Sequence, residues 1–169
     1  MVKHLKEFSF SVLAGMAIAV GCVVFLSVEN AVIGSVLFSV GLLTVLVFKL
    51  NLFTGKAPYM CKNKPAYWGF VALVWLGNFV GMAISSTLVR FTRVYDKIID
   101  RCTTVAQTKI DDDLLSLFIL SGFEHSIADM FYFMLALPIS KWILPLIVIT
   151  LGNVVGGNLF CYLTKIKRD

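Results

Sequence analysis

The chain has 169 residues, of which 59% are hydrophobic and 15% charged, with a mean hydropathy of +0.88. A water-soluble domain of this length cannot hide that much apolar surface, so the composition calls for an integral membrane protein. The net charge of +5 sits in loops and at the ends of apolar runs. That is the positive-inside pattern and does not point to a nucleic-acid partner.

A bilayer-spanning helix needs about 20 predominantly apolar residues. The first such window, Phe8–Val28, follows Lys3 and Lys6. Its length and the spans behind it indicate a retained helix, not a cleaved signal peptide. The second, Ala31–Leu50, runs directly into Leu52-Phe53-Thr54-Gly55, with Pro58 just beyond. Gly55 and Pro58 are breakers, so the chain is expected to leave helical geometry near them. A plain turn on the cytoplasmic side would account for the same residues. Irregular backbone at membrane depth requires burial in protein or a watery cavity.

The third window, Ala66–Val89, contains Leu76-Gly77-Asn78-Phe79-Val80-Gly81. The mixed-charge stretch from Arg90 to Asp113 reads as a loop on the far side of the membrane. The fourth window, Leu114–Leu137, is apolar except for Ser121–Asp129, which places Glu124, His125 and Asp129 inside a span. A charge at the bilayer centre costs at least ~2.5–3.5 kcal/mol, so each of these is a candidate functional residue. Asp129 lies four residues after His125 and would share its face of a helix, where the two can pair. The last window, Ile139–Thr164, contains Leu151-Gly152-Asn153-Val154-Val155-Gly156.

The two LGNxVG segments repeat closely. Glycines four apart, Gly77 and Gly81 or Gly152 and Gly156, let helix backbones approach each other. Asn78 and Asn153 are expected to bond to neighbouring backbone. Each motif follows a punctuated segment by roughly 25 residues, Leu52–Gly55 in one case and Glu124–Ser126 in the other. The pattern predicts one transmembrane domain built from an internal duplication, with residues 1–101 as the first repeat and 102–169 as the second.

Cys22, Cys61, Cys102 and Cys161 are scattered without a CxxC pair, so neither a metal site nor a disulfide framework is expected. His4 is the only other histidine and lies outside the spans, so bis-histidine haem ligation is not expected either. No cofactor is implied. With the N-terminus inside, Lys56, Lys62 and Lys64 fall inside, but five spans would carry Lys165, Lys167 and Arg168 outside. Three spans per repeat would put both termini inside. The missing one belongs between Cys102 and Leu114, where the sequence has the form of an internal deletion.

Phe48-Lys49-Leu50-Asn51-Leu52-Phe53-Thr54-Gly55, the paired LGNxVG motifs and Ser121–Met130 together resemble the formate/nitrite transporter family. The similarity runs from about Phe8 to Phe160. The resemblance implies an all-α, aquaporin-like inverted-repeat bundle with broken second and fifth helices. Here there are five apparent spans in place of six. It implies a multi-pass protein of the inner (plasma) membrane, five protomers forming a ring with a pore in each, that passes small monovalent anions and protons. By resemblance, Leu52-Phe53-Thr54 is the loop at the first break, with Thr54 facing the pore, and His125 is the central pore histidine. Phe38, Leu42 and Phe118 match narrow apolar constrictions, and Glu124 ties down the second break. Asp129 stands where the family usually has Asn. Such a site conducts without turning over a covalent bond, so an enzyme is not expected. Two other readings fit the same residues: a non-conducting truncated member of the family, and a neutral-solute channel of aquaporin type.

Overall fold

The computed structural model describes residues 2–111 and 125–166. Phe118 and Glu124 lie outside the described residues. The described elements are all helical: α1 (Val2–Ser27), α2 (Ala31–Val47), α3 (Phe53–Lys56), a 3₁₀ segment (Ala57–Lys62), α4 (Ala66–Arg90), α5 (Val94–Asp111), α6 (Ser126–Ala136) and α7 (Ile139–Ile166). Three stretches among them, His4–Ser27, Ala66–Arg90 and Ile139–Leu163, are long and apolar enough to cross a membrane. Ala31–Val47 and Ser126–Ala136 are apolar but shorter.

α1 and α4 form the central pair. Their contact is set by small residues: a Cβ on Gly77 would fall 2.4 Å from the Ser11 Cβ, and one on Gly81 would fall 2.2 Å from the Val12 carbonyl oxygen. The first glycine pair of the repeat therefore does the packing work expected of it. Gly152 is buried and Gly156 half-buried in α7.

The first helix break differs in position from the sequence expectation. α2 ends at Val47, before Gly55 and Pro58, and the terminator is Lys49 at φ 52°. The Lys49 N–H donates to the Leu46 carbonyl at 3.2 Å and the Leu50 N–H to the Val45 carbonyl at 2.9 Å. That is the Schellman closure, with lysine where glycine is usual. Gly55 instead lies inside α3 in open space. Pro58 opens the 3₁₀ segment, where its missing N–H leaves no helical bond unmade.

The interval expected to hold a loop and lack a span forms α5. No apolar span is there, but 98, 102 and 106 place Ile98, Cys102 and Ala106 in one fully buried row. Asp96, Lys97, Asp100 and Gln107 point outward. Window hydropathy misses such a helix because only one stripe of it is apolar.

α5 starts beside the end of α4, where Arg90 donates to the carbonyls of Met134 (2.7 Å) and Leu135 (3.0 Å) at the end of α6. Its Arg101 guanidinium bonds the Val28 carbonyl just past α1 and lies over the Phe25 ring. Its last turn reaches the first turn of α6 through Lys109 and Asp129. The helix therefore returns the chain from one end of the bundle toward its middle.

The C-terminal part of α7 packs on the 3₁₀ segment, where the Asn158 amide donates to the Ala57 carbonyl at 3.0 Å. The end of α7 thus lies on the side of Lys62 and Lys64. The charge conflict created by counting five spans disappears.

Candidate functional site

Two helix breaks meet in the bundle, and an asparagine from each LGN motif holds one of them. At the first, the Asn78 carbonyl oxygen accepts the Phe53 N–H at 2.8 Å, and its amide donates to the carbonyls of Ser11 (2.7 Å) and Asn51 (2.9 Å). At the second, the Asn153 carbonyl oxygen accepts the Ser126 N–H at 3.0 Å. Phe53 and Ser126 are each the first residue of a short helix. Backbone groups freed at membrane depth cost several kcal/mol each when unsatisfied, which is why both buried asparagines are needed.

The residue before each short helix then takes equivalent places, Leu52 at one break and His125 at the other. His125 is the N-cap of α6, with extended backbone (φ −98°, ψ 91°), and its Nδ1 accepts the Ala128 N–H at 3.1 Å. An accepting Nδ1 carries no proton, so the neutral ring holds its hydrogen on Nε2. Nε2 lies 3.0 Å from the Thr54 hydroxyl oxygen and donates to it in this tautomer.

His125 also separates two cavities. One, of about 440 Å³, is lined by Phe25, Phe38, Lys109, Asp129 and Tyr132 among others. The second, of about 590 Å³, is lined by Leu42, Lys49, Leu52, Thr54 and Lys56 among others. Among the described residues, His125 is the one on both linings. Phe38 and Leu42, one turn apart on α2, fall on opposite sides of it.

Most of the candidate residues among the described ones gather here, and Phe53 is the exception. Phe53 is buried at 3% exposure and lines neither cavity, because its N–H is tied to Asn78 and its ring turns into the core. Asp129 forms an ion pair with Lys109 (Nζ to Oδ1, 3.0 Å), while its backbone N–H donates to the His125 carbonyl at 3.0 Å. The i, i+4 relation holds in the backbone and both residues line the first cavity, while the His125 ring caps the Ala128 N–H. Phe118 and Glu124 lie outside the described residues, so their expected roles have no geometry.

Lys109, Lys49 and Ser35 on the cavity walls escaped the sequence reading. The available signal was a lone lysine at the end of an amphipathic stripe, which is ordinarily a solvated residue.

Residues 2–120 match the family model described as formate/nitrite transporter. The chain belongs to the formate/nitrite transporter family. It is accordingly a multi-pass membrane protein for anion passage and not an enzyme. A solved structure described as an FNT family ion channel is 18% identical to this chain and superposes with a TM-score of 0.83, covering 98% of this chain and 90% of that one. This likeness shows a common fold. No curated protein matches the chain.

Proposed function

We propose that the chain passes small monovalent anions of the formate, nitrite or hydrosulfide type across the cytoplasmic membrane, and that His125 exchanges a proton with the anion at the midpoint. The observation that carries this reading is the position of His125 between the two cavities, with Nε2 against Thr54. The two inferred repeats each contribute one side of that point.

An anion entering so apolar a passage loses its hydration, a cost of about 2.5–3.5 kcal/mol on insertion scales. Hydrogen bonds to charged groups contribute about 1.5–3 kcal/mol each. Two donors therefore offset the cost, and Thr54 and His125 are placed to be them. In the resting site the Thr54 oxygen holds the Nε2 hydrogen and the Thr54 hydroxyl turns its own toward the anion, and Nε2–H becomes the second donor on leaving Thr54 for the anion. A neutral acid crosses at far lower desolvation cost than its anion. A proton added to the ring must displace the Ala128 cap bond at Nδ1, so a charged ring is a transient species that returns its proton to the anion.

The cations are distributed unequally. Lys49 and Lys56 face the second cavity, whereas Lys109 in the first is paired with Asp129. Lys62 and Lys64 mark the side of the second cavity as cytoplasmic by the positive-inside bias. We further propose that protomers assemble as a homo-pentamer, each with its own pathway.

The test is flux into liposomes containing the purified protein, measured for formate, nitrite, hydrosulfide and water. Saturable anion flux well above that of protein-free liposomes is expected. Water flux without anion flux would establish the neutral-solute reading, and no flux from a folded oligomer would establish the non-conducting one.

A further inference from the structure

Cys22 and Cys102 behave as packing residues, each buried with its sulfur directed at a backbone carbonyl, of Ala128 and Tyr132 respectively. Cys61 is different. It is exposed on the 3₁₀ segment that follows the first helix break, and its Sγ lies 3.1 Å from the Sγ of Cys161, a residue of α7 that is 5% exposed. Both are thiols. The backbones that carry them are already fastened together. Asn158 accepts the Cys61 N–H at 2.7 Å and donates to the Ala57 carbonyl at 3.0 Å. A Cβ on Gly157 would fall 2.8 Å from the Pro58 ring, so the helix and the segment are in direct contact.

We propose that Cys61 and Cys161 form a peroxide-sensitive dithiol whose disulfide ties the segment behind the Thr54 break to the last helix. The proposal is independent of the anion that the protein passes. Cys61, as thiolate, attacks one oxygen of hydrogen peroxide. The O–O bond breaks, giving a sulfenic acid on Cys61 and hydroxide, which leaves as water with the proton that Cys61 gave up. The Cys161 sulfur then attacks the Cys61 sulfur. The S–O bond breaks and the departing hydroxide takes the Cys161 proton, forming a second water and the disulfide.

Two thiols are oxidised by two electrons and one peroxide is reduced. The sulfurs close to about 2.05 Å, a movement that χ rotation at two adjacent side chains can supply. Such a bond in a reducing compartment is reversible and acts as a sensor and not as a permanent staple.

The hydrogen bond to Cys161 holds the Cys61 thiol above its usual value, and Lys62 opposes it. Thiolate is therefore scarce at neutral pH, and the first step accelerates as pH rises into the alkaline range.

The full-length protein in detergent or nanodiscs is treated with hydrogen peroxide, blocked with N-ethylmaleimide, digested and mapped by mass spectrometry without reduction. The expected result is a peptide joining Cys61 to Cys161, two hydrogens lighter than its parts and released by dithiothreitol, with a rise of several degrees in melting temperature. In Cys161→Ser, Cys61 is expected to stop at a dimedone-reactive sulfenic acid or proceed to sulfinic acid, with no thermal gain. The wild-type map decides the matter even if the variant folds poorly. Overoxidised Cys61 beside an alkylated Cys161, or Cys61 joined only to Cys61 of another copy, would overturn the proposal.

Discussion

The two helix breaks share a backbone solution and differ in what they present. At each, an LGN asparagine accepts the first N–H of the short helix, from Phe53 in one case and Ser126 in the other. The residue just before that N–H is Leu52 at the first break and His125 at the second. The first therefore offers an apolar cap and a hydroxyl two residues along, and the second offers an imidazole ring. The proposed proton exchange therefore falls at His125, with Thr54 beside it at 3.0 Å.

Asn78 gives the strongest way to break this comparison. Replacing it with leucine strands the Phe53 N–H and the Asn51 carbonyl and removes the bond to the Ser11 carbonyl. At about 1–3 kcal/mol per unsatisfied buried group, that amounts to several kcal/mol. Asn78→Leu should fail to give a folded, monodisperse protein on size exclusion. A wild-type elution profile and melting temperature would show that the break holds itself.

Asp129→Asn acts next, through charge. Lys109 then faces the first cavity with less neutralisation, so anion entry from that side should rise severalfold at low salt. The gain should fade as the Debye length shrinks to about 8 Å at physiological ionic strength. A rise that ignores salt would argue against electrostatic steering.

Thr54→Val removes one donor while keeping shape. The loss of one net hydrogen bond, ~0.5–1.5 kcal/mol, should slow formate flux about 2- to 10-fold without altering expression. Unaltered flux would remove Thr54 from the pathway.

Lys49→Gly is the smallest change. It relieves a left-handed residue at the helix end and should stabilise the protein by about 1 kcal/mol or less, seen as a slight rise in melting temperature.

Much of this arrangement can be read from the residues, for reasons that also mark where reading stops. His125 stands out because a titratable group in an apolar span is expensive, and the LGN asparagines stand out because they recur at like spacing from a break. The exact site of the first break is hidden, since the chain is turned by Lys49 at positive φ and not by Gly55. α5 is hidden because its buried row of Ile98, Cys102 and Ala106 is diluted by charged neighbours. The partner of Asp129 is hidden for the same reason, as Lys109 sits on that unrecognised helix.

The most direct test of the central claim is the pH dependence of formate uptake by wild-type and His125→Ala protein in liposomes at fixed membrane potential. Uptake through the wild type should increase as the external pH falls, and the variant should lose that pH-dependent component while remaining folded. A variant with the wild-type rate and the wild-type pH profile would contradict the assignment of proton exchange to His125.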